Sequence, residues 1–165
     1  MFGKPLSEYV AFEKPVLILI AAVWALRLIF SMAGIPVVAA KIVSISAVLL
    51  LGSLYYGWAV GQKGFGSYKQ LYALNLVQGL FSQTLVDLAI VLAMVTGTDN
   101  VYTIPEFYPP SAGNGPFGLP PDGKNLGHAI AHIVLAGVLI GPLIGWLLSS
   151  IVHFFTRKSA RPATA

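Results

Sequence analysis

The chain has 165 residues and no cysteine. Disulfides, thiol redox relays, cysteine-ligated zinc and iron–sulfur clusters are therefore excluded. The sequence also lacks a Walker A phosphate loop, a Gly-x-Ser-x-Gly nucleophile elbow and the clustered carboxylates of glycosidases or di-metal bundles. Without a self-contained catalytic set, the sequence favours a protein that is not an enzyme.

Charge is also scarce. Charged residues make up 10% of the chain, against 56% hydrophobic residues, whereas about 25% of a typical soluble domain is charged. A small water-soluble fold could not bury so much apolar surface, so lipid must cover it. The net charge of +4 lies mostly in the polar connectors and the tail. This pattern indicates membrane orientation and argues against a nucleic-acid partner.

Four long apolar stretches account for the hydrophobic content, at residues 16–38, 42–61, 71–96 and 126–155. Each is about as long as the roughly 20 residues needed to cross a hydrocarbon core, or longer. They lack the alternation of strands, so helices are expected. We predict an all-α, four-helix transmembrane bundle that forms a single integral membrane domain over residues 1–165. Residues 97–125, rich in proline and aromatic side chains, are predicted to form one long ordered extracytoplasmic loop between helices 3 and 4.

The basic residues predict the orientation. With four spans, three basic regions fall on one side of the membrane, and acidic residues dominate the other. The positive-inside rule then places both termini in the cytoplasm, and we expect a multi-pass protein of the bacterial inner membrane. The residues on the basic side are Lys4, Lys14, Lys63, Lys69, Arg157, Lys158 and Arg161.

His128 and His132 form the pattern most suggestive of a ligand. Residues four apart share one helical face, so both imidazoles can bind one divalent metal ion in cis. Glu106 and Asp122 of the long loop could add oxygen ligands. The cis arrangement excludes both histidines as axial ligands of one haem, but a single histidine could hold haem or chlorophyll. The alternative is that both are interfacial side chains, hydrogen-bonded to loop carbonyls or phosphates.

Arg27 and Asp87 are ionisable side chains inside predicted spans. An isolated charge in the bilayer is costly, so each should find a partner inside the bundle. We predict a buried ion pair that fixes the helix register, with Gln83 one turn from Asp87 sharing the network. The alternatives are a proton or ion path, or an arginine that reaches a head group, a bound anion or another subunit.

Gly137, Gly141 and Gly145 repeat at intervals of four residues in the fourth span. Small residues at this spacing lie on one helix face and let two helix backbones approach closely. Packing of this kind matters in lipid, where the hydrophobic effect does not hold helices together. The face could pack inside the chain or against a partner subunit.

The function predicted first is an accessory or structural subunit of a larger bacterial membrane complex, related to electron transfer. Close-packing glycines, an aromatic loop and the missing catalytic set favour it. The first alternative is a small haem-, pigment- or metal-binding membrane protein that uses His128 and His132. The second is a small transporter or channel lined by the polar face of the third span. The expected partners are the lipid bilayer and other membrane subunits.

Overall fold

The computed structural model describes residues 1–36, 42–103 and 123–157. This part of the chain is all-helical and contains no strand. Its four long helices are α1 (Leu6–Met32), α2 (Ile45–Gln62), α3 (Tyr68–Thr96) and α4 (Leu126–Thr156). Each is long and apolar enough to cross a membrane, which confirms the predicted all-α class with four candidate spans. Most of the predicted loop lies outside the described residues.

The first helix begins at Leu6, ten residues before the predicted start of the first span at residue 16. Hydrogen bonds hold the residues before α1 against α1 and α3. The Tyr9 hydroxyl donates to the Met1 carbonyl over 2.9 Å, and Gln70 Nε2 donates to the Phe2 carbonyl over 3.0 Å. The charged residues Glu8, Glu13 and Lys14 therefore lie inside a long helix.

The helices α2 and α3 form the centre of the bundle. Both contact α1 and both contact α4, whereas the described residues show no contact between α1 and α4. The outer helices thus lie on opposite sides of the central pair. We call the end with the start of α1, the α2–α3 turn and the end of α4 the terminal end, and the opposite end the loop end.

The helix boundaries follow ordinary capping chemistry. The Ser44 hydroxyl accepts a hydrogen bond from the Ala47 amide at the start of α2. Ser67 and Gln70 form a reciprocal capping box at the start of α3, which satisfies amides that have no partner within the helix. α3 ends at Thr96 and is capped by Gly97, whose φ of 72° is a left-handed conformation that glycine adopts without steric cost.

Two apolar cores fill the ends of the bundle. The loop-end core joins α1, α2 and α3 and includes Ile20, Val48 and Ile90. The terminal-end core surrounds Tyr56 and Leu74. Large apolar side chains elsewhere are exposed along α1 and α4, consistent with helices that face lipid; examples are Ile18, Ile29, Leu139, Ile140, Leu143, Leu147 and Ile151.

A hydrogen-bonded polar cluster joins the three helices α2, α3 and α4 between these cores. Ser53 Oγ lies 2.7 Å from Asn75 Oδ1, and Asn75 Nδ2 donates to Ser149 Oγ over 3.2 Å. Gln78 Nε2 donates to Ser53 Oγ over 3.1 Å. All four side chains are buried. We call Ser53, Asn75, Gln78 and Ser149 the central cluster.

Glycines bring α2 and α4 into backbone contact. A Cβ added at Gly57 would collide with the Ser149 carbonyl and lie 2.7 Å from Val152 Cβ. One turn later, a Cβ at Gly61 would lie 3.3 Å from the nearest atoms, which belong to the His153 ring. The two positions differ in that Gly57 meets backbone and Gly61 meets a side chain.

We therefore expect Gly57→Ala to destabilise the bundle and Gly61→Ala to have a much smaller effect. Overpacking against a backbone that cannot retreat costs about 1–3 kcal/mol. Unfolding in mixed detergent micelles would measure both variants. Because both changes are the same and lie in the same helix, equal stabilities would contradict the close contact at Gly57.

Candidate metal or cofactor site

The two histidines of the first turns of α4 converge at the loop end. The Asn125 side chain caps this helix by accepting a hydrogen bond from the His128 amide over 2.8 Å. The ring nitrogens His128 Nε2 and His132 Nε2 are 2.9 Å apart, and the rings stack at 20° with centroids separated by 4.8 Å. Both side chains are half-buried. The predicted spacing therefore brings two imidazole nitrogens to one point.

Gln83 of α3 orients the second imidazole. Its Oε1 lies 2.7 Å from His132 Nδ1, while its Nε2 donates to Ser82 Oγ over 3.3 Å. An amide oxygen only accepts, so His132 Nδ1 carries the proton of the neutral ring. The Nε2 atom of His132 then carries the lone pair and faces His128 Nε2. Fixing one ring nitrogen so that the other is free to bind is the arrangement found around metal-ligating histidines.

The separation of the two nitrogens suits a bound cation as well as a hydrogen bond. With metal–nitrogen bonds of about 2.0–2.1 Å, a 2.9 Å separation gives a ligand–metal–ligand angle of about 90°. Opening the pair to about 3.3 Å would give the tetrahedral angle that zinc prefers. When no metal is bound, the His128 Nε2 proton would be donated to His132, and the pair is satisfied by that bond.

The predicted oxygen ligands Glu106 and Asp122 lie outside the described residues. Within residues 1–36, 42–103 and 123–157, no group of three or more His, Cys, Asp or Glu side chains could hold a metal. The histidine pair therefore supplies two ligands from the described part of the chain. One or two further positions would be filled by water, by the long loop or by another subunit.

Arg27 and Asp87 both lie in the described part of the chain, and they do not form an ion pair there. The Arg27 guanidinium carbon lies 5.2 Å from the centre of the Tyr102 ring, in a cation–π contact. The Tyr102 hydroxyl in turn donates to the Trp24 carbonyl over 3.0 Å. Asp87 is half-buried, and its Oδ1 has no hydrogen-bond partner among the described residues. The contact between Arg27 and Tyr102 thus holds the residues after α3 against α1.

Of the three predicted glycines, the structure places two in helix contacts. Gly137 lies against Gly79 and Gln83 of α3, and Gly145 lies against Asn75. Gly141 is exposed, and the next buried residue after Gly137 is Pro142, five positions on. The reason is a π-helical segment over His132–Ile140. Its wider turns carry the packed face forward by five residues instead of four.

Glu13 and Tyr56 are a second pair of buried polar side chains, which the sequence reasoning missed. α1 carries Glu13 into the bundle, where it is fully buried, and Tyr56 of α2 is fully buried beside it. An i, i+4 relation of Tyr9 and Glu13 to the apolar face that continues through Leu17 and Ile20 could have shown the burial.

Comparison with known proteins adds no assignment to this geometry. No protein-family model, no curated protein and no solved structure matches the chain.

Proposed function

We propose that this chain is a subunit of a larger bacterial membrane complex for electron transfer, in which His128 and His132 bind a metal ion or cofactor. The observation that carries the proposal is the convergence of the two Nε2 atoms at 2.9 Å, with His132 oriented by Gln83. The two nitrogens that share a hydrogen bond in the absence of metal are also close enough to bind one ion.

A divalent transition metal is the ligand that fits the pair best. Neutral imidazole is a good ligand for zinc, copper, nickel and iron. The cis arrangement allows both rings to bind one ion but not both axial positions of a haem. Haem or chlorophyll would engage a single histidine, and an optical spectrum distinguishes these cofactors from a colourless or weakly coloured metal site.

We expect purified protein to bind about one metal ion, and His132→Gln and His128→Gln to lose it. His153→Gln is the matched control, since His153 lies near the other end of α4 and rests edge-on against Tyr68. Copper, nickel and zinc titrations in detergent, read by elemental analysis after desalting, would measure the stoichiometry. Metal content that is the same in all four proteins would contradict the site, while a Soret or chlorophyll band lost only in the histidine variants would identify a cofactor instead.

Asp87 supports the subunit part of the proposal. It lies inside a candidate membrane span, is half-buried, and has one carboxylate oxygen without a hydrogen bond in the described part of the chain. Acidic side chains inside membranes normally pair with a donor or a cation. In our proposal, a basic or hydrogen-bonding side chain of a neighbouring subunit meets Asp87.

We therefore expect the tagged chain, extracted gently from its native host, to purify with defined partner proteins, and Asp87→Leu to weaken that association. Thr84→Leu is the control, because Thr84 lies one turn earlier in α3, is exposed, and within the described residues bonds only to the Leu80 carbonyl of its own helix. The size and composition of the particle would be compared by native mass spectrometry. Wild-type protein that purifies alone would count against the subunit role.

The orientation with both termini in the cytoplasm is also part of the proposal. Basic residues at the terminal end, among them Lys4, Lys63 and Arg157, support it through the positive-inside rule. A chain without cysteine allows single reporter thiols to be introduced. We expect a membrane-impermeant maleimide added to intact spheroplasts to label Thr98→Cys but not Ser67→Cys. The reverse pattern would invert the topology.

A further inference from the structure

Glu13 of α1 and Tyr56 of α2 form a fully buried pair near the terminal end of the bundle. The Tyr56 hydroxyl lies 3.0 Å from Glu13 Oε2, and both side chains have no exposed surface. Glu13 Oε1 has no hydrogen-bond partner among the described residues. A carboxyl group with one hydrogen bond is thus enclosed in an apolar core.

The surroundings suit a neutral carboxylic acid and not a carboxylate. Within the described residues, the ion pairs join Lys4 to Glu8 and Lys124 to Asp99, and none involves Glu13. An ionised carboxylate without a cation costs several kcal/mol in such surroundings, and a single phenol donor does not compensate for it. A protonated Glu13 needs no counter-ion and has one oxygen bonded to Tyr56.

The titratable and charged groups around the pair come from all four helices and the α2–α3 turn. Two cations lie at the edge of the apolar cluster. Lys4 is paired with Glu8 and lies over the Phe65 ring, while Lys63 Nζ lies 3.0 Å from the Tyr55 hydroxyl and over the Phe12 ring. Neither forms an ion pair with Glu13. The groups are Lys4 before α1, Glu8, Tyr9 and the exposed Lys14 on α1, Tyr55 and Tyr56 on α2, Lys63 in the turn, Tyr68 on α3, and His153 and Arg157 on and after α4.

Pro15 removes a backbone hydrogen bond from α1 close to Glu13. Proline lacks an amide proton, so the carbonyl of Ala11 has no partner within the helix, and helices bend at such positions. Pro15 lies two residues from Glu13, inside α1. In the short segment before it, residues 6–14, Tyr9 and Phe12 pack against Phe65 of the α2–α3 turn. A bend at Pro15 would lift this segment and open Glu13 to water.

We propose that Glu13 and Tyr56 form a proton-binding site, which bending of α1 at Pro15 opens to water. In the closed state, Glu13 carries its proton on Oε1, and its Oε2 accepts the hydrogen bond from the Tyr56 hydroxyl. In the open state, Glu13 releases this proton to water and takes one up again before closing, while Tyr56 keeps its own proton throughout. The site lies at the opposite end of the bundle from the histidine pair and is independent of it.

Infrared spectroscopy of the purified full chain in lipid nanodiscs tests the proposal. At neutral pH, we expect the wild type minus Glu13→Gln difference spectrum to contain the C=O band of a protonated carboxyl. Glu8→Gln is the matched control, because Glu8 is an exposed acid of the same helix paired with Lys4, and it should leave the band unchanged. Tyr56→Phe should shift the band to higher frequency through loss of the hydrogen bond. This second variant remains informative if Glu13→Gln does not fold.

Exchange with D₂O separates a proton-binding site from a static buried bond. We expect the Glu13 band to shift on deuteration while the protein stays folded, and Pro15→Ala, which restores the amide donor to the Ala11 carbonyl, to slow that shift several-fold. The proposal is overturned if no protonated-carboxyl band is present at neutral pH. It is equally overturned if the band is present but its exchange is unchanged by Pro15→Ala, since the pair would then be only a structural bond.

Stability gives an independent check with a defined sign. If the folded state holds a proton that the unfolded chain releases at neutral pH, unfolding releases a proton and stability must fall as pH rises. One such proton changes the unfolding equilibrium constant by about tenfold per pH unit. Glu13→Gln should lose this part of the pH dependence, and Glu8→Gln should keep it. Identical slopes in wild type and Glu13→Gln would show that Glu13 is already ionised in the bundle.

Discussion

The central constraint on this bundle is that a polar side chain buried between its helices needs hydrogen-bond partners inside the bundle. Asn75 meets it for three helices at once. Its Oδ1 lies beside the Ser53 hydroxyl of α2, and its Nδ2 donates to the Leu71 carbonyl of α3 and to Ser149 of α4. These side chains are buried, so water does not compete for their hydrogen bonds. The bonds therefore fix α3 between its neighbours in one register.

These hydrogen bonds depend on helix backbones that approach more closely than large side chains would allow. Gly145 leaves the space that the Asn75 side chain occupies, and Gly137 rests against Gly79. The π-helical segment of α4 is what allows both contacts, because it turns the packed face from Gly137 to Pro142. The same segment begins at His132, so packing and presentation of the histidine pair have a common origin in the chain.

The sequence predicted four apolar helices because their signal is composition averaged over about twenty residues, which tertiary contacts do not alter. It failed to predict local side-chain geometry. The prediction from the four-residue glycine spacing assumed a regular α-helix. No pattern in the sequence predicts the π-helical segment that leaves Gly141 exposed. Arg27 lies over Tyr102 instead of pairing with Asp87, because the residues after α3 fold back onto α1.

The two candidate sites lie at opposite ends of the bundle, and the packing between them bears on how they can work. At Gly52, an added Cβ would lie 2.7 Å from Gln78 Oε1 and 2.9 Å from Val16 Cγ1, so the layer above Glu13 has no spare volume. The central cluster is equally filled at Gly145. A water-filled path through one copy would need these contacts to separate. Each site is therefore better suited to exchange protons or metal ions with the solution at its own end of the bundle. This favours local proton or metal binding over transport through the centre of the chain.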